Sequence, residues 1–281
     1  MRTRSWTTIV LAAAAMLGSG LFARAQQDVA PTVDEIVNKT NHVAYYQGQD
    51  GRATVTMTIT DARGGKRTRE FIILRRDDRP ENLPEGREGP DADQRFYVHF
   101  EKPADLNRMV FMVWKHVAAD KDDDRWLYQP ALDNVKRIAA SDKRTSFVGS
   151  HFFYEDVSGR NTADDTHELV KTTDTYYVLK NTPKDPKTVE FGHFEMWIHR
   201  ATFIPVQTLY YDKQGRKVRT YAVEKVDKIQ GHYTVTKARM TDLTDGSNTL
   251  IEYRDVKYDI GLPEDIFTER YLRSAPGKYL K

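Results

Sequence analysis

An alternation of apolar and polar residues with a period of two constrains the fold more than any other feature of this chain. Val55, Met57 and Ile59 alternate with threonines, and the same pattern returns along much of the sequence. Such alternation predicts β-strands with one buried face. We expect the later strands near residues 167–180, 190–200, 204–212, 217–228, 232–243 and 248–258.

A single helix precedes the strands. Thr32 and Glu35 have the spacing of a capping box, which marks the first turn of a helix. Between the strands, residues 130–165 are irregular and rich in aromatic side chains. A long antiparallel meander must curl, so we predict a mostly β protein. Its core is a strongly curved antiparallel sheet, with an N-terminal helix and an irregular lid segment over the concave apolar face.

The N-terminus has the three parts of a secretory signal peptide. Arg2 and Arg4 supply positive charge, residues 9–22 are uncharged and apolar, and Ala23-Arg24-Ala25 has small residues where signal peptidase reads them. The apolar run is short for a membrane-spanning helix, which needs about 20 residues. We therefore expect cleavage before Gln26 and a periplasmic location.

The remaining chain, residues 26–281, has no stretch that predicts a division, and we expect a single domain. Removal of residues 1–25 takes away three Arg and no acidic residue, which leaves 40 basic and 41 acidic side chains. Nucleic-acid binding requires a basic surface, so this balance argues against it. The chain has no Cys, so thiolate chemistry and disulfides are excluded.

Two central segments and the end of the chain resemble a known family. Residues 126–138 read WLYQPALDNVKRI, residues 146–156 read SFVGSHFFYED, and residues 261–267 read GLPEDIF. In this order they resemble the LolA-like family, the outer-membrane lipoprotein-sorting type. Val148 stands where that family's pattern has Met, and His151 stands where it has Asp. If an acidic group at the second position helps to orient the lid in the family, His151 puts that role in doubt in this chain.

The resemblance implies a half-open barrel that is closed by helices and holds acyl chains. It implies a carrier for lipids or lipoproteins between envelope membranes, without a cofactor. It also implies two further partners, an inner-membrane exporter that supplies the cargo and an outer-membrane acceptor that receives it.

The sequence offers little support for a metal site. His193, Glu195 and His199 share one face of a predicted strand, but the two His are about 20 Å apart at a rise of about 3.3 Å per residue. One zinc ion cannot bridge that distance, since Zn–N bonds are about 2 Å. The acidic run Asp120–Asp124 lacks the Gly and the distal Glu of a calcium loop. We predict no metal.

No catalytic motif is present either. The Gly-x-Ser-x-Gly elbow and the His-Glu-x-x-His motif are both missing. Ser150 and His151 are adjacent, but adjacency is not the geometry of a triad. Glu155 and Asp156 would point to opposite faces if their segment were extended. We therefore do not expect an enzyme.

Residues of one parity on three predicted strands should face the concave side of a curled sheet. They form either a cavity wall or an ordinary packed core, and the pattern does not separate the two. The predicted wall consists of Val55, Met57, Ile59, Phe96, Val98, Phe100, Phe194, Met196 and Ile198.

The aromatic side chains of residues 130–165 are predicted to form a lid or mouth over the cavity. Four basic residues in the same segment are predicted to form a rim that contacts lipid headgroups or a membrane partner. As alternatives, the aromatic residues would be a satellite core, and the basic ones would discourage edge pairing. The lid residues are Phe147, Phe152, Phe153 and Tyr154. The rim residues are Lys136, Arg137, Lys143 and Arg144.

The leading functional hypothesis is a periplasmic carrier that binds acyl chains in an apolar cavity. Two alternatives remain open. The protein would be a docking or accessory module of an envelope lipid exporter if side chains fill the cavity. It would be a hydrolase if it acts on a bound lipid.

Overall fold

The fold is described from a computed structural model, which describes residues 30–78, 92–118 and 120–281. All helices and strands of these ranges lie within the unit Thr32–Lys281. The predicted signal peptide lies outside the described residues. In the described ranges, no helix has both the length and the apolar character needed to cross a membrane.

Helix α1 spans Val33–Tyr45 and begins with the predicted capping box. The Glu35 amide donates to Thr32 Oγ1 at 3.2 Å, and the Thr32 amide donates to Glu35 Oε2 at 2.8 Å. Ile36 and Val37 are buried against Tyr177, Leu179 and Ile198 of the sheet.

The strands of the described residues form one antiparallel sheet of thirteen. The strands are β1 (Asp50–Thr60), β2 (Lys66–Asp78), β3 (Asp93–Lys102), β4 (Val110–Lys115), β5 (Asp124–Gln129), β6 (Asn134–Ile138), β7 (Asp165–Thr172), β8 (Tyr176–Pro183), β9 (His193–His199), β10 (Pro205–Tyr211), β11 (Lys217–Ile229), β12 (His232–Asp242) and β13 (Asn248–Tyr258). Their order is β6-β5-β4-β3-β2-β1-β13-β12-β11-β10-β9-β8-β7, so β6 and β7 are the edges and the barrel stays half open. The predicted fold class is confirmed.

Two local predictions were wrong. Residues 167–180 are not one strand, because the chain turns between β7 and β8. The Thr173 hydroxyl accepts from the Tyr176 amide at 2.8 Å, and this turn contains neither Gly nor Pro to mark it. The segment 130–165 is also more regular than expected, since it contains the edge strand β6 and helix α2 (Tyr154–Ser158).

The sheet has a core on each face. Its concave face carries Val55, Phe71, Phe96 and other residues of the predicted parity. Its convex face, over β2 to β5, packs against the C-terminal segment that contains helix α3 (Glu269–Arg273). The buried convex residues include Ile72, Leu74, Tyr97, Met112, Leu262, Ile266, Phe267 and Leu272. The strand β4 is therefore buried on both faces, which accounts for its continuous apolar run.

Candidate binding cavity

A cavity of about 410 Å³ lies on the concave side of the sheet. Val37 and Ala44 of α1 line it, as do Phe147 and Phe152 of the segment between β6 and α2. The volume falls within the range of roughly 300–1,000 Å³ that small-molecule sites occupy. The cavity is therefore large enough for a ligand or part of a longer one.

The register of five neighbouring strands builds one wall. Leu179 pairs with Met196, Met196 with Thr208, Thr208 with Tyr221, and Tyr221 with Met240. Directly paired residues of an antiparallel sheet point to the same face. All five residues line the cavity, so β8 to β12 each contribute one side chain at the same level.

The nine predicted wall residues are all on the concave face, but they occupy two different places. Met57, Phe96, Phe194, Met196 and Ile198 line the cavity. Val55, Ile59, Val98 and Phe100 are at most 1% exposed and are buried in the packed part of that face. The alternation therefore located the face, while ligand binding by these residues stays a prediction.

The aromatic segment fills part of the barrel. Phe147 is 1% exposed, and its ring centre lies 5.4 to 6.2 Å from those of Phe71, Phe100 and Phe111. Tyr154 packs on the same cluster. Phe147 therefore has two roles: it packs the half of the barrel formed by β1 to β5, and it forms part of the cavity wall.

A tight turn carries Phe147 and Phe152. The Ser150 amide donates to the Phe147 carbonyl at 2.9 Å, and Val148 and Gly149 both have positive φ, of 48° and 77°. This conformation suits Gly but is unfavourable for a β-branched residue such as Val. The turn brings Phe147 and Phe152 together, and the Phe147 amide donates to the Phe152 carbonyl at 2.8 Å.

The residue after this turn, His151, anchors it to the sheet. Its Nδ1 lies 2.8 Å from Thr249 Oγ1 and its Nε2 lies 2.7 Å from Ser247 Oγ. Burial lowers the pKa of His151, although Asp242 and Asp245 oppose this. A neutral imidazole between two hydroxyls thus stands where the resemblance led us to expect an acidic group.

An ionic cluster forms a polar end of the cavity. Glu155 of α2 is 2% exposed, and its carboxylate lies 2.8 Å from Arg144, 3.4 Å from Lys143 and 3.5 Å from Arg160. Burial would raise the pKa of Glu155, but the three cations hold it below its ordinary value. Arg160 also pairs with Asp165 at 2.9 Å. Arg144, Arg160 and Asp165 all line the cavity.

The sequence does not predict this cluster, because the side chains of residues 155 and 156 would point to opposite faces of an extended segment. In the helix α2, Glu155 and Asp156 bind different cations. Glu155 pairs with Lys143, Arg144 and Arg160. Asp156 pairs with the guanidinium of Arg219. The Asp156 carboxylate also accepts from the Phe153 amide at 2.7 Å, which caps the helix. The one sequence feature that pointed to the cluster was the acidic pair Glu155 and Asp156, which follows the aromatic residues 152–154.

The four predicted rim residues lie in two groups. Lys136 and Arg137 are exposed on the edge strand β6, and Arg137 pairs with Asp124. Lys143 and Arg144 belong to the ionic cluster around Glu155. Contact of any of them with a headgroup stays a prediction.

The lid residues also differ in position. Phe147 and Phe152 line the cavity. The ring centre of Phe153 instead lies 4.7 Å from the guanidinium of Arg144 and 4.1 Å from that of Arg219. Among the residues that the structure describes, no three His, Asp or Glu side chains are grouped to hold a metal ion.

Comparison with known proteins identifies the fold. A DUF1329 family protein from Desulfovibrio piger is 29% identical, with a TM-score of 0.74 over 85% of this chain and 97% of that one. A protein domain from Vibrio parahaemolyticus named for outer-membrane lipoprotein sorting is 25% identical, with a TM-score of 0.71 and the same coverage. A LolA superfamily protein from Nitrosomonas europaea shares the fold at 22% identity, with a TM-score of 0.63 over 86% of this chain and all of its own.

No curated protein matches the sequence. A family model described only as that of an uncharacterized protein matches residues 92–274, which is more than half of the 281 residues. The chain therefore belongs to this family, and its fold is LolA-like.

Proposed function

We propose that this protein is a periplasmic carrier that binds the acyl chains of a lipid or lipoprotein and moves them between the envelope membranes. The observation that carries the proposal is the cavity of about 410 Å³ under α1, with a largely apolar wall. The similarity to a domain named for lipoprotein sorting supports it. So does the signal peptide predicted over residues 1–25, ahead of a domain over residues 26–281.

An acyl chain needs little from such a site beyond space and apolar contacts. Each buried methylene contributes roughly 0.8 kcal/mol, so a chain fragment of several methylenes is held without a charged anchor. Met57, Phe71 and Phe147 on one side and Leu179 and Met196 on the other supply these contacts. The carrier would receive its cargo from an inner-membrane exporter and deliver it to an outer-membrane acceptor.

The docking-module alternative requires a barrel filled by side chains. Phe147 and its aromatic neighbours do fill the half formed by β1 to β5. The other half, under β8 to β13, is where the cavity remains open. That open half favours the carrier.

The hydrolase alternative would need an activated nucleophile. Ser247 Oγ lies 2.7 Å from His151 Nε2, but it also donates to the Asp245 carboxylate at 2.6 Å. The second ring nitrogen faces the hydroxyl of Thr249 instead of the carboxylate that orients a triad His. These contacts are those of a hydrogen-bonded turn, and Ser247 is 7% exposed.

Two charge insertions test the carrier. Met196→Asp places a carboxylate at the cavity wall on a partly buried residue, while Phe100→Asp places one in the packed aromatic cluster. An unpaired buried charge is very costly, so we expect Phe100→Asp to unfold the protein. We expect Met196→Asp to fold but lose bound lipid, with Met196→Leu as the control that keeps both.

The measurements are mass spectrometry of lipid extracted from the purified protein and thermal unfolding of the same preparation. Unfolding of both Asp variants would favour the docking module. A Met196→Asp variant that is folded and retains its lipid would contradict the carrier.

A further inference from the structure

Four tyrosines line one region of the cavity. Tyr45 is the last residue of α1, and Tyr210, Tyr221 and Tyr253 lie on β10, β11 and β13. All four line the cavity and are half-buried. We call these four residues the tyrosine group.

The sheet register explains why the three strand residues meet. Tyr210 pairs with Arg219, two residues from Tyr221, so both tyrosines point to the concave face. Tyr221 pairs with Met240, and Tyr253 lies two residues beyond Ile251 on the same face of β13. The helix α1 then brings Tyr45 over this region, where its ring lies against Gly159, a position at which any side chain would collide.

The hydroxyls of the tyrosine group are unused donors. Within residues 30–78, 92–118 and 120–281, none of the four makes a hydrogen bond. None is among the fully enclosed polar atoms without a partner, so each keeps contact with open space. Neighbouring tyrosines behave differently: Tyr211 donates to Glu195 at 3.0 Å, and Tyr258 lies 2.8 Å from Thr234 Oγ1.

The group is uncharged. Burial raises the pKa of Tyr210 and of Tyr253 to about 12. Burial also raises the pKa of Tyr45 and Tyr221, with Asp156 adding to the effect. At neutral pH all four are therefore phenols that can donate a hydrogen bond.

The charges around the tyrosine group do not favour an anion. Arg219, which stacks on Tyr210 at 5.1 Å, is paired with the carboxylate of Asp156. The lining cations Arg75, Arg144 and Arg160 are paired with carboxylates as well. The lining cation Arg52 donates to the Leu280 carbonyl at 3.2 Å. The exposed Lys257 also lines the cavity, but it is four residues from Tyr253, roughly 13 Å along an extended strand.

We propose that the tyrosine group binds the uncharged carbonyl or hydroxyl oxygens of an acyl ester or amide, so that the cavity selects a neutral amphiphile over an ionised lipid. This rests on the proposed acyl-chain binding and adds the chemistry of the polar part of the cargo. These hydroxyls face the cavity without an acceptor in the protein, so a ligand that displaces water from them must supply acceptors, because a donor left buried and unsatisfied is unfavourable. A carboxylate or phosphate would instead lose its hydration without gaining an unpaired cation.

Three ligands with the same chain separate the contributions. Monopalmitin has a neutral ester and hydroxyls, palmitate has a charge, and hexadecane has no oxygen. Each is supplied from cyclodextrin and titrated against the purified full chain, with displacement of the neutral dye 1-N-phenylnaphthylamine as the readout. We expect monopalmitin to bind about tenfold more tightly than palmitate.

Removal of single hydroxyls tests the group itself. Tyr221→Phe and Tyr253→Phe should each weaken monopalmitin binding by about 3- to 10-fold and leave hexadecane binding unchanged. Tyr211→Phe, whose hydroxyl is bonded to Glu195, is the matched control and should change neither ligand. Unfolding in urea verifies that the variants are folded.

Two outcomes would overturn the inference while leaving the carrier intact: palmitate binding as tightly as monopalmitin, or monopalmitin binding that is unaffected by both Phe variants. Failure of all three ligands to displace the dye would overturn the carrier and the inference together.

Discussion

Replacing Glu155 by Gln tests whether the ionic cluster holds α2 and the aromatic segment in place beside the cavity. Glu155 is 2% exposed and pairs with three cations. Removing one partner of a buried ion pair costs about 3–5 kcal/mol. Arg144 keeps Glu190 and Arg160 keeps Asp165, so the lower end, about 3 kcal/mol, is expected here.

The assay is urea unfolding at pH 7, followed by Trp fluorescence. Glu190→Gln is the matched control, because the Glu190 side chain is 47% exposed and a pair of this kind contributes about 0–1 kcal/mol. A loss below about 1 kcal/mol for Glu155→Gln would refute the role given to the cluster.

The pH dependence has a definite sign. The pKa of Glu155 in the folded protein lies below its ordinary value of 4.5, because Arg144, Arg160 and Lys143 outweigh the effect of burial. The stabilisation is therefore complete above pH 4.5 and is lost as the pH falls through the lower folded pKa. The stability difference between wild type and Glu155→Gln should stay constant near neutrality and shrink in acid, and a difference that does not change with pH would contradict this.

Three further substitutions have defined outcomes. Phe147→Ala removes the ring at the centre of the aromatic cluster and should cost about 3–5 kcal/mol in urea unfolding, while Leu132→Ala, at a residue 72% exposed, should stay within about 0.5 kcal/mol. Thr32→Ala removes the capping box and should cost about 1 kcal/mol, and an unchanged midpoint would show that α1 does not depend on its cap. Burial lowers the pKa of His151 in the folded protein below its ordinary value of 6.5. As the pH falls, the unfolded protein therefore binds a proton at this residue before the folded protein does, and wild-type stability should fall below pH 6.5. His151→Asn should reduce that fall, and an identical profile would contradict it.

Strict alternation on β1, β3 and β9 was enough to identify the concave face, because side-chain direction in a strand depends only on parity. The capping box was likewise sufficient to place the start of α1 at Thr32. Both signals are local, so they are readable from one sequence.

Features that depend on distant contacts could not be read in this way. The turn after Thr172 is closed by the Thr173 hydroxyl, and the short helix α2 is held by Arg219 from β11. The convex core depends on Leu262 and Phe267 folding back over β2 to β5. The division of the predicted wall into cavity and packed core depends on where Phe147 lies, which parity does not determine.

The most direct test of the central claim is native mass spectrometry of the protein after export of its full precursor and gentle purification without detergent. We expect an acyl-bearing lipid bound to the folded chain, and its loss from Met196→Asp but not from Met196→Leu. A wild-type protein that is free of lipid and takes none from vesicles would contradict the carrier, and lipid breakdown products would point to the hydrolase.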